Sequence, residues 1–300
     1  MAESDVSKHA RDLANSEGGM EPQQQEHPGR TAEMRPVPDH GEESWTGRGR
    51  LEGLKALITG GDSGIGRAIA IAYAREGADV AINYLAAEEE DAEETASWIR
   101  KAGRNAVLVP GDIRGEDTCN QVVQRAVSGL GGLNILVNNA GYHWARGEQG
   151  LRGLTTAALD RAMKTNVYGT LWMTRAAIPH LKRGDCVINT TSLQAHDPSV
   201  TMIDYAATKA ALNNITANLA AELGPDGIRV NAVAPGPVWT PLQPATKEPE
   251  AVANMGKDTP LGRIGQPAEL AGAYVFLACP SEASYVSGTV LGVTGGMPVF

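Results

Sequence analysis

The sequence predicts a doubly wound α/β fold: one open, seven-stranded parallel sheet with helices on both faces. Three observations carry this. From Leu51 onward, apolar runs of strand length alternate with stretches of helical period. A glycine-rich turn separates the first of those runs from the first helical stretch. The part that can build a core, about 250 residues, has the size of one large open α/β domain.

Strands are expected at 55–59, 79–83, 105–110, 133–137, 185–190, 228–234 and 289–293, each a short β-branched or aliphatic run bounded by polar or turn residues. Helices are expected between them, at 64–76, 87–101, 116–129, 156–181, 204–223 and 267–278. Parallel neighbours require right-handed crossovers, which places any ligand at the carboxyl ends of the strands. The acidic run from Glu88 to Glu94 falls in the first turns of a helix, where carboxylates favour the dipole.

Residues 1–50 differ from the rest. Only eleven of them are apolar, and they include four prolines and six glycines, too little apolar surface to offset the ordering entropy. They predict an extended, largely irregular and solvated arm, in which 35–45 has the best reason to lie on the domain at 51–300, because Trp45 needs cover. Net charge is -9. Neither part of the chain offers a basic footprint, so nucleic acid is not an expected partner. No run approaches the ~18 apolar residues of a membrane span, and the first thirty residues lack a secretory core. Cys119, Cys186 and Cys279 have no paired-ligand spacing, so neither a disulfide frame nor a metal site is expected, and a reducing cytoplasm is the default.

The loop after the first strand reads Thr59, Gly60, Gly61, Asp62, Ser63, Gly64, Ile65, Gly66. Gly60 permits a sharp turn, Gly64 lets backbone approach a pyrophosphate, and Gly66 lets helix and strand pack closely. Free amides at the helix start then face the anion. Further on, Tyr205 and Lys209 are spaced i, i+4, which puts both on one helix face. Ser192 lies thirteen residues before Tyr205, and Asn166 lies in the helical stretch before the fifth strand.

The G-x-x-x-G-x-G spacing resembles the loop of the short-chain dehydrogenase/reductase family. Asn138, Asn139, Ala140 and Gly141 resemble its NNAG segment, and Ser192, Tyr205 and Lys209 with Asn166 match its catalytic tetrad. The resemblance spans 51–300. It implies a single Rossmann domain, a nicotinamide dinucleotide as cofactor, and hydride exchange with a small aldehyde, ketone or (poly)alcohol. It implies that Thr59, Gly60, Asp62 to Gly66, Asn83, Tyr84, Asn139 to Gly141, Tyr205 and Lys209 bind the cofactor, that Asp112 and Ile113 meet the adenine, and that Pro235, Gly236, Val238 and Thr240 lie at the nicotinamide. The arm ending PDHGEESW, with GRLEG and TGGDSGIGRA, resembles a glucose/ribitol-dehydrogenase-like subgroup that includes general-stress oxidoreductases and aldehyde reductases. Family analogy implies a homotetramer. The alternative is a dinucleotide-binding sensor or stress protein without significant catalysis.

The choice between NAD and NADP stays open. After the second strand an acid selects NAD and an arginine favours the extra phosphate, whereas this chain has Asn83, Tyr84 and Leu85. Arg67 is a candidate substitute for the missing arginine. In the expected chemistry Tyr205 is the general acid/base. A lysine ammonium about 5 Å away, at an effective dielectric near 20, favours the phenolate by roughly 3 kcal/mol, about two pKa units. Tyr205 is therefore expected to titrate near working pH, with Ser192 holding the substrate oxygen and, by resemblance, Asn166 placing a water for proton resupply. His143, Trp144, Trp239 and Leu242 are candidate pocket walls. His196 lacks an acid to orient it and is not expected to act.

Overall fold

The computed structural model describes residues 8, 20–145 and 147–300; the arm expectations for the rest of 1–19 lie outside the described residues. Seven parallel strands form one sheet: β1 (Lys55–Thr59), β2 (Asp79–Tyr84), β3 (Ala106–Pro110), β4 (Ile135–Asn138), β5 (Cys186–Thr190), β6 (Arg229–Pro235) and β7 (Val290–Val293). Their order is β3-β2-β1-β4-β5-β6-β7. The order reverses between β1 and β4, which opens a crevice at their carboxyl ends.

Alternate strand residues serve opposite faces. Ile58, Val80, Ile82 and Ile188 pack with Ile69 and Tyr73 of α1 (Gly64–Arg75). Leu57, Ala81, Leu136 and Val187 pack on the other face with α3 (Glu116–Leu130). The helix α2 (Glu89–Lys101) begins two residues later than the expected start at 87, after a single 3-10 turn. The expected helix at 156–181 is four pieces: α4 (Thr156–Met163), a π turn (Lys164–Tyr168), α5 (Gly169–Ala177) and a final 3-10 turn. Its length was legible, but the one-residue insertion that makes the π turn has no periodic signal. The helix that carries Tyr205 and Lys209, α6, covers Ile203–Leu223, followed by short α7 (Leu242–Thr246) and α8 (Pro249–Ala253), then α9 (Pro267–Ala278).

A solvated arm is not what residues 20–50 form. Met20 and Met34 are buried against Trp239, Val252 and Ile264 in a third apolar cluster, and Trp239 Nε1 donates to the Pro36 carbonyl at 2.8 Å. Asp39 N donates to Gln266 at 3.1 Å, and Arg75 donates to the carbonyls of Glu42 and Trp45. Composition undervalued these few methionines because the partner surface that covers them lies two hundred residues away. Trp239 is fully buried, so Trp239→Ala is expected to cost about 3–5 kcal/mol of stability. Chemical denaturation checks this, and a loss near zero would contradict the packing of the arm.

Candidate active site

The crevice at the strand ends is a cavity of ≈ 250 Å³ that runs from the glycine loop past the NNAG segment to β6. Gly60 has φ +60° and Gly64 +51°, both left-handed, which favours glycine. At Gly66 a Cβ would sit 1.8 Å from the Gly60 carbonyl oxygen, so only glycine lets α1 pack against the turn. Ser63 precedes α1 without a side-chain cap, leaving first-turn amides available to an anion.

Most of the residues expected at the cofactor line this crevice: Gly60, Asp62 to Ile65, Asn83, Tyr84, Asp112, Ile113, Asn139 to Gly141, Pro235, Gly236, Val238 and Thr240. Thr59 and Gly66 do not. The Thr59 hydroxyl accepts from the amides of Asn139 and Ala140, each at 3.0 Å, so it binds β1 to the NNAG turn behind the crevice wall. Arg67 is buried and committed: Nε donates to the Asp62 carbonyl at 2.9 Å, and Nη2 reaches Asp91 Oδ1 at 3.2 Å. It is not free to receive an extra phosphate.

Ser192, Tyr205 and Lys209 converge on the inner end. Ser192 follows β5 and is fixed as the cap of a short turn, its Oγ accepting from Gln194 N at 3.1 Å. Tyr205 is in the first turn of α6, one turn before Lys209, whose Nζ lies 5.4 Å from the tyrosine ring centroid. Lys209 Nζ donates to the Thr190 carbonyl at 2.7 Å, which anchors α6 to the end of β5.

The expected titration of Tyr205 near neutrality does not hold for these residues alone. Burial pushes its phenol up to about 12, against a smaller lowering by the hydrogen bond with Ser192. Burial also pulls Lys209 down to about 7. Both charges are disfavoured because both groups share one desolvated pocket. The consequence is a phenol that keeps its proton at neutral pH, the form a proton donor needs.

Asn166 does not line the crevice. Its Oδ1 accepts from Tyr142 N at 2.8 Å, and its Nδ2 donates to the Tyr142 carbonyl at 2.9 Å and to Thr208 Oγ1 at 3.0 Å. The π turn thus clamps the segment after NNAG to α6, beside Lys209. His143 is a wall: its ring meets Tyr205 edge-on at 5.2 Å, Thr246 Oγ1 lies 3.2 Å from its Nδ1, and burial pulls it to about 3, so it stays neutral. Leu242 also lines the crevice, whereas Trp239 is core and Trp144 is exposed. His196 pairs with Asn213 at 3.0 Å on the surface. Residues the sequence did not offer also line the crevice: His27, Pro28, Glu88, Arg114 and Arg161. Arg114 had a signal, its position directly after Asp112 and Ile113, and Glu88 opens the acidic run that reads as a helix start. No metal-holding cluster of His, Cys, Asp or Glu exists among the described residues.

Known proteins share this architecture. A family model described as "Enoyl-(Acyl carrier protein) reductase" matches residues 60–298. "Uncharacterized oxidoreductase YhxD" of Bacillus subtilis is 50% identical over 280 residues, covering 92% of this chain and 93% of that protein. "NADPH-dependent aldehyde reductase 1, chloroplastic" of Arabidopsis thaliana is 39% identical, with 91% and 96% covered. A crystal structure of a short chain dehydrogenase from Burkholderia cenocepacia in complex with NADP superposes with a TM-score of 0.77 at 36% identity, covering 82% of this chain and 98% of that one. The chain belongs to the short-chain dehydrogenase/reductase family of oxidoreductases.

Proposed function

We propose that this protein reduces small aldehydes or ketones to alcohols, or runs the reverse, with Tyr205 as the general acid/base. The observation that carries this is the convergence of Ser192, Tyr205 and Lys209 at the end of a crevice whose other end is a glycine turn. That turn fits a dinucleotide: the left-handed Gly60 and Gly64 and the uncapped α1 start form a cradle that side chains would fill. Gly60, Ser63, Gly64 and Ile65 would hold its phosphates, and Asp112 and Ile113 its adenine end. A bound nicotinamide would supply or accept the hydride. Ser192 holds the substrate oxygen through its hydroxyl, a fixed dipole aimed at growing negative charge. Tyr205 transfers its hydroxyl proton to that oxygen, and the Lys209 charge stabilises the phenolate left behind. Asn166 is a positioning residue that keeps α6 and the NNAG turn in register.

Mixing the protein with NADH or NADPH and a panel of small carbonyl compounds tests the proposal. Loss of nicotinamide absorbance with an equal amount of alcohol formed is the expected result. Binding without consumption across the panel would support the sensor reading instead.

Asp62 and Glu88 line the crevice with Asn83 and Tyr84. Burial pushes Glu88 up to about 8, with the Asp62 charge adding to the shift. Below that value a neutral Glu88 tolerates a ribose phosphate; above it a carboxylate repels the phosphate and accepts from a free ribose hydroxyl. The ratio of NADPH to NADH affinity should therefore fall, roughly tenfold between about pH 6 and about pH 9, and Glu88→Gln should flatten it. Calorimetric titration of both nucleotides across that range checks this.

A homotetramer is part of the same proposal. Leu159, Tyr168 and Leu171 on the α4–α5 stretch and Phe300 at the chain end are exposed, and a second copy would cover them. A monomeric mass in solution would contradict it.

A further inference from the structure

We infer that residues 25–31 of the arm form the outer wall of the dinucleotide crevice, with His27 in contact with the bound cofactor. This rests on the reading of the crevice given above. The segment is pinned on both banks. On the α7 side, Gln25 N donates to the Pro244 carbonyl at 2.9 Å. Gly29 there has φ +86° and passes so close that a Cβ would lie 2.7 Å from the Pro241 carbonyl oxygen. On the α2 side, Thr31 N donates to Asp91 Oδ2 at 3.1 Å, and Arg30 pairs with Glu90 at 3.0 Å. Asp91 is itself held by Arg67, which donates to the Asp62 carbonyl, so the second pin is tied to the glycine turn.

Between the pins, His27 and Pro28 face the same cavity as Ser63, Gly64 and Tyr205. The His27 ring stands edge-on to Tyr142 at 5.4 Å, and its Nδ1 is 3.4 Å from the Arg161 guanidinium. That guanidinium lies over the Tyr142 ring at 4.1 Å. The ring is thus positioned by two neighbours. A strap across the middle of the crevice suits a long ligand threaded beneath it, and Arg161 beside it suits an anionic one. A dinucleotide is both. Release then requires one bank to let go.

The test is the dissociation rate of NADPH, followed by its fluorescence after displacement, in the full-length protein. Gly29→Val, which cannot keep the left-handed turn or the Pro241 contact, is expected to release NADPH about tenfold faster. His27→Ala is expected to weaken its affinity several-fold. The unaltered protein supplies a second readout that needs no variant. NADPH should slow tryptic cleavage after Arg30 several-fold, because cleavage requires the strap to open. Equal release rates and affinities in the variants, with cleavage unaffected by NADPH, would overturn this inference while leaving the cofactor reading intact. Failure of the unaltered protein to bind either nucleotide would overturn both.

Discussion

Replacing Lys209 by methionine is expected to lower turnover by about two to four orders of magnitude while raising the stability of the ligand-free protein at neutral pH. The two effects have one cause. Lys209 is buried and pulled down to about 7 from its ordinary 10.5, so the folded state disfavours the ammonium that the unfolded chain carries freely. For a base whose folded value is depressed, the deficit is complete below about pH 7, shrinks as pH rises, and is gone near the unfolded value. The stability gain of Lys209→Met should follow that course, largest at and below neutrality and fading toward about pH 10. Methionine fills nearly the same volume. What it cannot do is place a positive charge beside Tyr205, which in the proposed mechanism is the charge that stabilises the phenolate left when the proton leaves. Melting temperature against pH, paired with turnover at saturating substrate, checks both halves. A variant that melts lower at neutral pH would show that the bond to the Thr190 carbonyl matters more than the desolvation.

Tyr205→Phe is expected to cost about two to four orders of magnitude in kcat, the usual range for a positioned proton donor. Dinucleotide affinity should stay within a few-fold, since the glycine turn and the Asp112 and Ile113 end of the crevice are untouched. The ring remains, so its edge-on contact with His143 at 5.2 Å persists and the fold should hold. Only the hydroxyl is lost. Single-turnover oxidation of bound NADPH, measured with calorimetric affinity for the same nucleotide, separates the two quantities. A variant that binds tenfold more weakly but reacts at the original rate would assign Tyr205 to binding.

The parts of this molecule that sequence made legible are those governed by local periodicity. Ile58 and Leu57 belong to opposite faces because strands alternate, and Gly66 had to be glycine because α1 leaves the turn at close range. Tyr205 and Lys209 share a face because four residues make about one turn. What escaped are features set by distant partners. Met34 and Trp239 are two hundred residues apart, and nothing in either neighbourhood announces that one covers the other. His27 reaches the crevice for the same reason. Arg67 looked available for a phosphate because its first-turn position was visible, whereas Asp91, which holds it, comes from another helix. The direction of the Tyr205 shift is not legible in the sequence, because spacing gives the distance to Lys209 and says nothing of how much water the pair loses. Burial acts on both groups, raising the phenol and lowering the amine.

The proposed chemistry requires the phenol of Tyr205 to deliver the proton, and the pH profile of kcat for carbonyl reduction tests that most directly. A donor must be protonated and the phenolate it leaves is stabilised by a charged Lys209, which burial pulls down to about 7, so the unaltered protein should lose rate on an alkaline limb as pH climbs past neutrality. In Tyr205→Phe the residual rate should be flat across that range. The same alkaline limb persisting in the variant would mean that another group gives the proton.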